Sequence, residues 1–341
     1  MELKHALAQL LDRQELHEEQ MESVMLQLMS GKATQAQIGA ILTALRMKGE
    51  TLAEVTSAVR VMRSLATPVV LGDTSKLVDT CGTGGDGANT FNISTACAFV
   101  VAAAGGVVAK HGNRSISSKS GSADVLEAAG VNLNLTPEQV AECIRETGVG
   151  FMFAQAHHGA MKHVIGARKE MGVRTLFNLL GPLTNPAGAP YQVVGVYHKS
   201  LTTLFAKVLQ KLGSKHVMVV HADDGLDEIS IASKTTVAEL KEGEIHYWEI
   251  DPYDLDMDHV NLTDLSVDSA QDSLNIIRSV FANNDSAAKD VVCLNAGAAL
   301  YVAGLSDSYS EGVTLARTVI AKGLAQKKLN AFILKTQSYS S

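Results

Sequence analysis

A glycine-rich loop at residues 82–87 lies directly between an apolar run and an alanine-rich stretch. Residues 77–81 are predicted to form a buried strand, and residues 94–104 a helix with Ser94 or Thr95 near its N-terminus. Glycine lets a ligand approach the backbone closely, and unpaired N–H groups at the start of a helix attract anions. This order of strand, loop and helix predicts a phosphate-binding turn. A turn that serves only packing remains the alternative.

The loop differs from two common nucleotide-binding loops. Its glycines, Gly82, Gly84, Gly85 and Gly87, do not have the GxGxxG spacing of dinucleotide-binding folds. They are also not followed by the Gly-Lys-Ser or Gly-Lys-Thr sequence that closes the P-loop of ATP-binding proteins. The spacing therefore disfavours a site for a nicotinamide cofactor or for ATP.

The hydrophobic pattern changes at Pro68. Up to residue 66 the apolar residues recur at helical spacing, as Ile38, Ile41 and Leu42 do. Beyond Pro68, short β-branched runs alternate with helical patterns. The predicted strands are residues 77–81, 107–110, 193–196, 217–221 and 291–294. Such alternation is typical of a mainly parallel sheet with helices on both faces.

The pattern predicts an α/β protein of two domains. We expect a small all-helical N-terminal domain over residues 1–68 and a larger α/β domain over residues 69–341. A further helical pattern at residues 159–180 predicts that the segment at about 160–185 returns to complete the helical domain. With 341 residues, of which 46% are hydrophobic and 19% charged, the chain can bury a core in each domain.

Charge and cysteine content exclude several classes of protein. A net charge of −7 argues against a general nucleic-acid-binding surface, and no apolar stretch reaches the roughly 20 residues that span a bilayer. The N-terminus lacks the apolar centre of a signal peptide. Cys81, Cys97, Cys143 and Cys293 are widely spaced, which predicts reduced thiols rather than disulfides or zinc ligands. We therefore expect a cytoplasmic protein that binds neither membrane nor nucleic acid.

A second polar segment, residues 110–124, follows a predicted strand and leads into a predicted helix at 123–129. Lys110, Arg114 and Lys119 supply positive charge. Several hydroxyl groups supply further hydrogen-bond donors, from Ser115, Ser117, Ser118, Ser120 and Ser122. This composition suits a polyanion, and ligands gather at the carboxyl ends of strands in such folds. A polar surface loop is the alternative.

A third segment, residues 221–228, ends with the adjacent carboxylates Asp227 and Glu228 after a predicted strand. Mg²⁺ commonly takes one or two carboxylates together with substrate phosphates, so this pair is a candidate magnesium site opposite the glycine loop. An acidic turn without metal is an equally good interpretation of this segment alone.

Two other clusters do not fit metal sites. The run at 251–272 alternates carboxylates as a calcium loop does, but His259 and Leu265 stand where an EF-hand needs glycine and glutamate. A solvated loop is predicted there. The three histidines near residue 160 lack the HExxH spacing, so a pocket or surface role is favoured over metal binding.

Six motifs, taken together, resemble the anthranilate phosphoribosyltransferase family. They extend over nearly the whole chain and show no departure at a position that the family uses for chemistry. The motifs are GAILTALRMKG at 39–49, GTGGD at 82–86, KHGNRSISSKSGSADVLEAAG at 110–130, NLLGPLTNP at 178–186, DGLDE at 224–228 and NAGAA at 295–299. The resemblance implies a nucleoside phosphorylase-like fold, a homodimer and dependence on Mg²⁺. It also implies phosphoribosyl transfer from 5-phosphoribosyl 1-pyrophosphate to the amine of anthranilate, in L-tryptophan biosynthesis.

The resemblance also implies roles for individual residues. Ser94, Asp227 and Glu228 would bind magnesium, and Arg168 would bind the carboxylate of anthranilate. The phosphoribosyl donor would be contacted by residues of the first two segments, with Asn113 also near anthranilate. These are Gly82, Gly85, Asp86, Thr90, Asn92, Ile93, Ser94, Thr95, Lys110, His111, Gly112, Asn113, Arg114, Ser115, Ile116, Ser117, Ser118 and Ser122.

Such a reaction needs no strong protein nucleophile. Charge separates as the bond from ribose to pyrophosphate breaks, so cations and positioning are the main contributions of the protein. We assign no general base, and a structural role for His111 is as well supported as a place in the pocket wall. Two rival functions are a pyrimidine nucleoside phosphorylase and a nucleic-acid-binding relative with the same fold. The pair Asp227–Glu228 and the acidic charge of the chain favour the transferase.

Overall fold

The computed structural model describes residues 1–115 and 119–339. The predicted site residues Ile116, Ser117 and Ser118 therefore lie outside the described residues. The N-terminal part is helical, as the sequence predicts. Its helices are α1 (Leu3–Leu11), α2 (Glu18–Met29), α3 (Gln35–Lys48) and α4 (Leu52–Leu65).

Capping residues explain where two of these helices begin. The side chain of Thr34 accepts a hydrogen bond from the Gln37 N–H at 3.2 Å, and the Thr34 N–H donates to Gln37 Oε1 at 2.9 Å. Thr51 and Glu54 form the same reciprocal pair at the start of α4. Each capping box satisfies backbone groups that a helix end would otherwise leave unpaired.

Within the described residues, seven strands form one sheet in the order β3-β2-β1-β4-β5-β6-β7. The first five strands of that order are parallel, and β6 and β7 are antiparallel, so the prediction of a mainly parallel sheet is confirmed. The strands are β1 (Leu77–Gly82), β2 (Val107–Gly112), β3 (Val149–Phe153), β4 (Tyr191–Gly195), β5 (His216–Ala222), β6 (Thr235–Lys241) and β7 (Glu244–Ile250).

Helices cover both faces of the sheet because the central strands are apolar on both faces. Along β5, Val217 and Val219 enter one core while Met218 and Val220 enter the other. The helices after α4 are α5 (Ile93–Ala103), α6 (Ser122–Ala128), α7 (Pro137–Thr147), α8 (Ala154–His157), α9 (Ile165–Met171), α10 (Leu176–Leu180), α11 (Ser200–Lys211), α12 (Ala270–Phe281), α13 (Ala287–Val302), α14 (Tyr309–Ala321) and α15 (Leu324–Gln337). Helices α5 and α12–α15 share the core of Met218 and Val220, and α11 shares the core of Val217 and Val219 with the N-terminal helices.

One predicted strand is wrong. Residues 291–294 lie inside α13, a helix that starts where Ser286 accepts a hydrogen bond from the Lys289 N–H at 3.2 Å. Val291, Val292 and Leu294 are fully buried, and a short buried apolar run has the same pattern in a strand and in a buried helix. The sequence analysis also did not predict strands β3, β6 and β7.

The predicted helix at 159–180 is broken into shorter pieces. A 3₁₀ turn over Gly159–His163 precedes α9, and Gly172, with a φ of +60°, ends α9 in the left-handed conformation that favours glycine. Helix α9 packs on α3, where Gln35 Oε1 accepts a hydrogen bond from the Ala167 N–H at 2.9 Å. Farther along, Arg63 of α4 donates to the Leu183 carbonyl at 2.8 Å. The segment after β3 thus contacts the N-terminal helices.

No helix among the residues that the structure covers combines the length and the apolar character needed to cross a membrane. In the acidic run at 251–272, Asp254, Asp256 and Asp258 are exposed, as the prediction of a solvated loop requires.

Replacing Glu54 with glutamine should destabilise the helical domain. The Glu54 side chain is fully buried, pairs with Lys48 Nζ at 2.8 Å, and accepts hydrogen bonds from the Leu16 and Thr51 N–H groups at 2.9 Å each. Removing one charge of a buried ion pair costs about 3–5 kcal/mol because the other charge is left uncompensated. We expect the free energy of unfolding of these helices to fall by about that amount in urea.

Two probes locate the effect of this substitution. Far-UV circular dichroism follows the helices, and the fluorescence of Trp248, the single tryptophan, follows β7 of the sheet. Arg60→Gln is the matched control, since it breaks an exposed pair with Glu18 that is worth at most about 1 kcal/mol. Equal shifts of the dichroism midpoint for Glu54→Gln and Arg60→Gln would contradict the prediction.

Candidate active site

The three polar segments meet at one edge of the sheet. The glycine loop follows β1, the segment from residue 113 follows β2, and the acidic turn from residue 223 follows β5. Because β2, β1, β4 and β5 are parallel neighbours, their carboxyl ends lie side by side. The structure therefore brings together the residues that the sequence places after separate strands, as expected for this class of fold.

A hydrogen bond joins the glycine loop to the acidic turn. The Gly84 N–H donates to Asp227 Oδ2 at 2.6 Å. Gly84, Gly85 and Gly87 have φ angles of +66°, +76° and +80°, which explains why glycine occupies these positions.

Two other glycines make room for Asp227. A Cβ atom on Gly82 would lie 2.6 Å from Asp227 Oδ2, and one on Gly195 would lie 1.5 Å from the Asp227 carbonyl oxygen. Gly82 is therefore required for packing, in addition to its predicted contact with the phosphoribosyl donor. Gly195, at the end of β4, was not among the predicted site residues, and only the tertiary structure shows what it faces.

Three carboxylates are close together behind this loop. Burial, with Asp86 and Glu228 nearby, raises the pKa of Asp227 well above its usual range. Burial also raises the pKa of Glu228 to about 7, although Lys110 acts in the opposite direction. Among the described residues no group of three or more histidine, cysteine, aspartate or glutamate side chains is arranged to hold a metal ion by itself. A cation here would need oxygen ligands from a substrate as well.

Lys110 is buried beside the start of α5. Its Nζ donates to the Thr80 carbonyl and to Ser94 Oγ, the latter at 3.1 Å. Thr80 Oγ1 in turn donates to the Ser94 carbonyl at 3.0 Å. The side chain of Ile93 belongs to the core, while Thr95 Oγ1 is buried and has no hydrogen-bond partner among the described residues.

Asn92 links three elements at the same helix start. Its Oδ1 accepts hydrogen bonds from Ser120 Oγ at 2.7 Å and from Ser273 Oγ of α12 at 2.8 Å. Its Nδ2 donates to the Ser120 carbonyl at 3.2 Å. Ser273 is a residue that the sequence analysis did not select, since nothing in the sequence near α12 indicates a site. Thr90 lies nearby and forms an isolated bridge with Ser266.

In the segment after β2, the cationic side chain of Arg114 is paired with acidic residues. Arg114 pairs with Asp124 at 3.0 Å and with Glu127 at 2.7 Å, and these contacts raise its pKa. Asp124 also accepts hydrogen bonds from the Ser115 and Gly121 N–H groups at 2.9 Å each, which fixes the start of α6.

Close packing shapes the same segment at Ser122. Its Oγ donates to the Asn113 carbonyl at 3.3 Å, and a Cβ atom on Gly112 would lie 2.1 Å from that Oγ. The predicted residues Gly112, Asn113 and Ser122 are therefore in mutual contact.

Two neutral histidines line the neighbouring interior. The rings of His111 and His158 lie 5.1 Å apart, and Nε2 of each has no hydrogen-bond partner among the described residues. Burial lowers the pKa of His111 to about 3 and that of His158 to about 4, and neighbouring histidines add to both effects. The backbone N–H of His111 donates a hydrogen bond to Asp79 Oδ1 at 3.2 Å. Asp79 Oδ2 also accepts one from Asn185 Nδ2 at 2.7 Å.

Arg168 is half-buried on α9. Its guanidinium carbon lies 5.4 Å from the centroid of the Phe177 ring, and burial lowers its pKa. Within residues 1–115 and 119–339 it has no ion-pair partner. A partly desolvated guanidinium without a carboxylate is suited to bind the carboxylate of a ligand.

Comparison with known proteins agrees with this arrangement. A family model described as the helical bundle domain of a glycosyl transferase family matches residues 4–66, and the a/b domain of the same family matches residues 74–326. The chain is 68% identical over 340 residues to an anthranilate phosphoribosyltransferase of Hydrogenovibrio crunogenus, covering all of both chains. It is 58% identical to that of Cellvibrio japonicus, covering 99% of each. The chain belongs to the anthranilate phosphoribosyltransferase family.

Solved structures of anthranilate phosphoribosyltransferases have the same fold. That of Thermus thermophilus matches with a TM-score of 0.92 and 39% identity, over 97% of this chain and 99% of that one. That of Saccharomyces cerevisiae, in complex with PRPP and Mg, matches with a TM-score of 0.89 and 25% identity, over 98% of each chain. The predicted two-part fold is confirmed, and the chain is an enzyme of phosphoribosyl transfer to anthranilate in tryptophan biosynthesis.

The buried neutral histidines should make the stability of this family member depend on pH. In the unfolded chain a histidine binds a proton near its ordinary pKa of about 6.5, whereas His111 and His158 in the folded protein bind one only near pH 3 and pH 4. Between pH 6 and pH 4.5 the unfolded state thus holds more protons, so stability falls as the pH falls. The loss is about 1.4 kcal/mol per pH unit for each histidine.

His111→Gln should flatten this dependence by the contribution of one histidine, roughly 1.4 kcal/mol per pH unit. Urea unfolding at a series of pH values gives the slope, which is independent of the stability lost by the substitution itself. His246→Gln is the control because that side chain is 56% exposed on β7. An unchanged slope for His111→Gln would show that the folded protein protonates His111.

Proposed function

We propose that this chain transfers the phosphoribosyl group with the three loops at the carboxyl edge of its sheet. The products are N-(5-phosphoribosyl)anthranilate and pyrophosphate. The observation that carries the proposal is the bond from the Gly84 N–H to Asp227 Oδ2, because it holds the glycine loop against the adjacent acids Asp227 and Glu228. The buried Lys110 ammonium beside Ser94 adds positive charge at the same place. A sugar diphosphate with a divalent cation matches this combination of charges.

The carboxylates fit a magnesium ion. Burial and then the like-charged carboxylates nearby raise the pKa of Asp227, and a divalent cation would offset the repulsion between the carboxylates. We propose that Asp227 and Glu228 hold Mg²⁺ together with Ser94. The yeast relative was solved with PRPP and Mg, which supports this assignment. When bound, the ion would neutralise charge on the departing pyrophosphate.

The chain itself binds and orients the donor. We propose that the glycine loop and the start of α5 bind the pyrophosphate through backbone N–H groups, and that the segment after β2 encloses the rest of the molecule. The proposed donor contacts are Gly82, Gly85, Asp86, Thr90, Asn92, Ile93, Ser94, Thr95, Lys110, His111, Gly112, Asn113, Arg114, Ser115 and Ser122. Ile116, Ser117 and Ser118 fall outside the described residues, and their contacts with the donor stay predictions.

Anthranilate would bind toward Arg168. We propose that the guanidinium of Arg168 pairs with the anthranilate carboxylate while Asn113 contacts the ring side of the pocket. His111 and His158 are uncharged near neutral pH, so they do not repel the positive charge that develops on the ribose. The amine of anthranilate is already a nucleophile. Positioning it against the sugar is therefore the main task of the protein, and we assign no general base.

We propose further that the protein is a cytoplasmic homodimer. Leu11, Leu26 and Met47 are apolar and exposed on the first three helices, which suits a contact between copies. The four cysteines are buried and free, as in a reducing compartment.

We also propose that residues 160–185 complete the helical domain of residues 1–68 and that residues 69–341 form the donor-binding domain. The packing of α9 on α3 supports this division.

The function is tested by incubating the protein with anthranilate, phosphoribosyl pyrophosphate and Mg²⁺. The fluorescence of anthranilate measures its consumption. We expect turnover that depends on magnesium and falls by about 100-fold or more in the double variant Asp227→Asn with Glu228→Gln. The folded state should not be weakened by this variant, because burial already disfavours the charged forms of both carboxylates.

Asp223→Asn is the matched control, since Asp223 lies on the same turn with its side chain 50% exposed. It should keep native turnover. Unchanged magnesium dependence in the double variant would remove Asp227 and Glu228 from the metal site. Turnover of a pyrimidine nucleoside with phosphate, or tight binding of DNA, in place of anthranilate turnover would support the rival functions.

Arg168→Lys should raise the KM for anthranilate much more than the KM for the donor. Lysine keeps the charge but loses the planar pair of donors that matches a carboxylate, a contact worth roughly 1.5–3 kcal/mol. We expect an increase of about tenfold or more in the anthranilate KM from initial rates. Lys169→Gln, which alters an exposed cation on the same helix, should change neither constant. Equal increases for both substrates would contradict the role of Arg168.

A further inference from the structure

Arg174 lies between α9 and α10 and reaches the glycine loop. Its Nη2 donates a hydrogen bond to the Gly85 carbonyl, and its guanidinium carbon lies 4.0 Å from the centroid of the Tyr197 ring. Among the described residues it has no carboxylate partner. The guanidinium is therefore held by a single carbonyl of the loop that we assign to pyrophosphate and by the face of the Tyr197 ring.

The two groups that contact Arg174 are connected to each other through the start of the glycine loop. The Tyr197 N–H donates to Thr83 Oγ1 at 3.0 Å, and the Thr83 N–H donates to the Gly195 carbonyl at 2.9 Å. The ring that supports Arg174 is thus tied to the start of the glycine loop. Any movement of this loop changes the position at which Arg174 is held.

Arg174 is also connected to Arg168, through the short chain segment that joins the two residues. Helix α9 ends at Gly172, whose N–H donates to the Arg168 carbonyl at 3.3 Å, and α9 is anchored to Gln35 of α3. Arg168 and Arg174 therefore lie on one short segment between the helical domain and the glycine loop. Arg168 is the residue that we assign to the acceptor, and Arg174 contacts the loop that we assign to the donor.

We propose that Arg174 is a positioning residue that couples the occupancy of the glycine loop to the affinity for anthranilate. The torsions of Gly84 and Gly85 are soft, and the bond from Arg174 holds the Gly85 carbonyl in the orientation seen here. Pyrophosphate on the loop shifts or releases that carbonyl, and the segment that carries Arg168 responds. This inference rests on the proposed function, since it takes the glycine loop as the pyrophosphate site and Arg168 as the anthranilate site.

The experiment measures the Kd of anthranilate by fluorescence with and without magnesium pyrophosphate. Pyrophosphate supplies the leaving group without ribose, so no reaction takes place. For the native protein we expect the two Kd values to differ by about fivefold or more, the usual range of coupling between sites. In Arg174→Gln the ratio should fall below about twofold, while each ligand still binds.

Two controls separate this coupling from a general loss of structure. Lys169→Gln removes an exposed cation from the same helix and should keep the native ratio. Tyr197→Leu removes the ring but keeps Arg174, and should lower the ratio as Arg174→Gln does. It provides the decisive test if circular dichroism shows Arg174→Gln to be unfolded.

A ratio near one in a native protein that binds both ligands would overturn the inference. So would a native ratio in the folded Arg174→Gln variant, or in Tyr197→Leu if Arg174→Gln does not fold. Failure of the native protein to bind pyrophosphate or anthranilate at all would instead refute the proposed function. The two failures are therefore distinct.

Discussion

The contact between the Gly84 N–H and the Asp227 carboxylate holds the site together. It connects two loops that are 143 residues apart in the chain and fixes the acidic turn against the glycine loop. Gly82 and Gly195 make the contact possible, because a side chain on either would occupy the space of Asp227. The loops on either side of β4 are thus positioned by one hydrogen bond and two missing side chains.

Opposing electrostatic effects act on the carboxyl group of Asp227 at this contact. The hydrogen bond from Gly84 favours the charged form of Asp227, while burial and the neighbouring carboxylates raise its pKa. The arrangement is consequently less stable with all its charges in place than with a cation bound among them. A divalent ion with its polyphosphate, the ligand proposed above, would offset this repulsion, whereas a neutral ligand would not.

Positively charged side chains around the candidate site differ in whether a carboxylate neutralises them. Lys110 is bound to the Thr80 carbonyl and Ser94, and Arg114 is neutralised by Asp124 and Glu127. Among the described residues, Arg168 and Arg174 have no acidic partner, and both lie on the segment that returns to the N-terminal helices. The part of the candidate site next to this segment therefore carries two guanidinium groups that no carboxylate in the described part of the chain neutralises.

Local patterns in the sequence were sufficient for much of this. Helical spacing before Pro68, β-branched runs after it, and glycines behind an apolar strand depend on neighbours within a few residues, so they predict the two-part fold and the three site loops. Residues 291–294 were assigned to a strand because burial in a helix and in a sheet leaves the same short apolar pattern. The tertiary structure alone shows that Gly195, Ser273, Asn185 and Arg174 lie at the candidate site. Their partners are far away in the chain, and a contact between distant residues has no local signal.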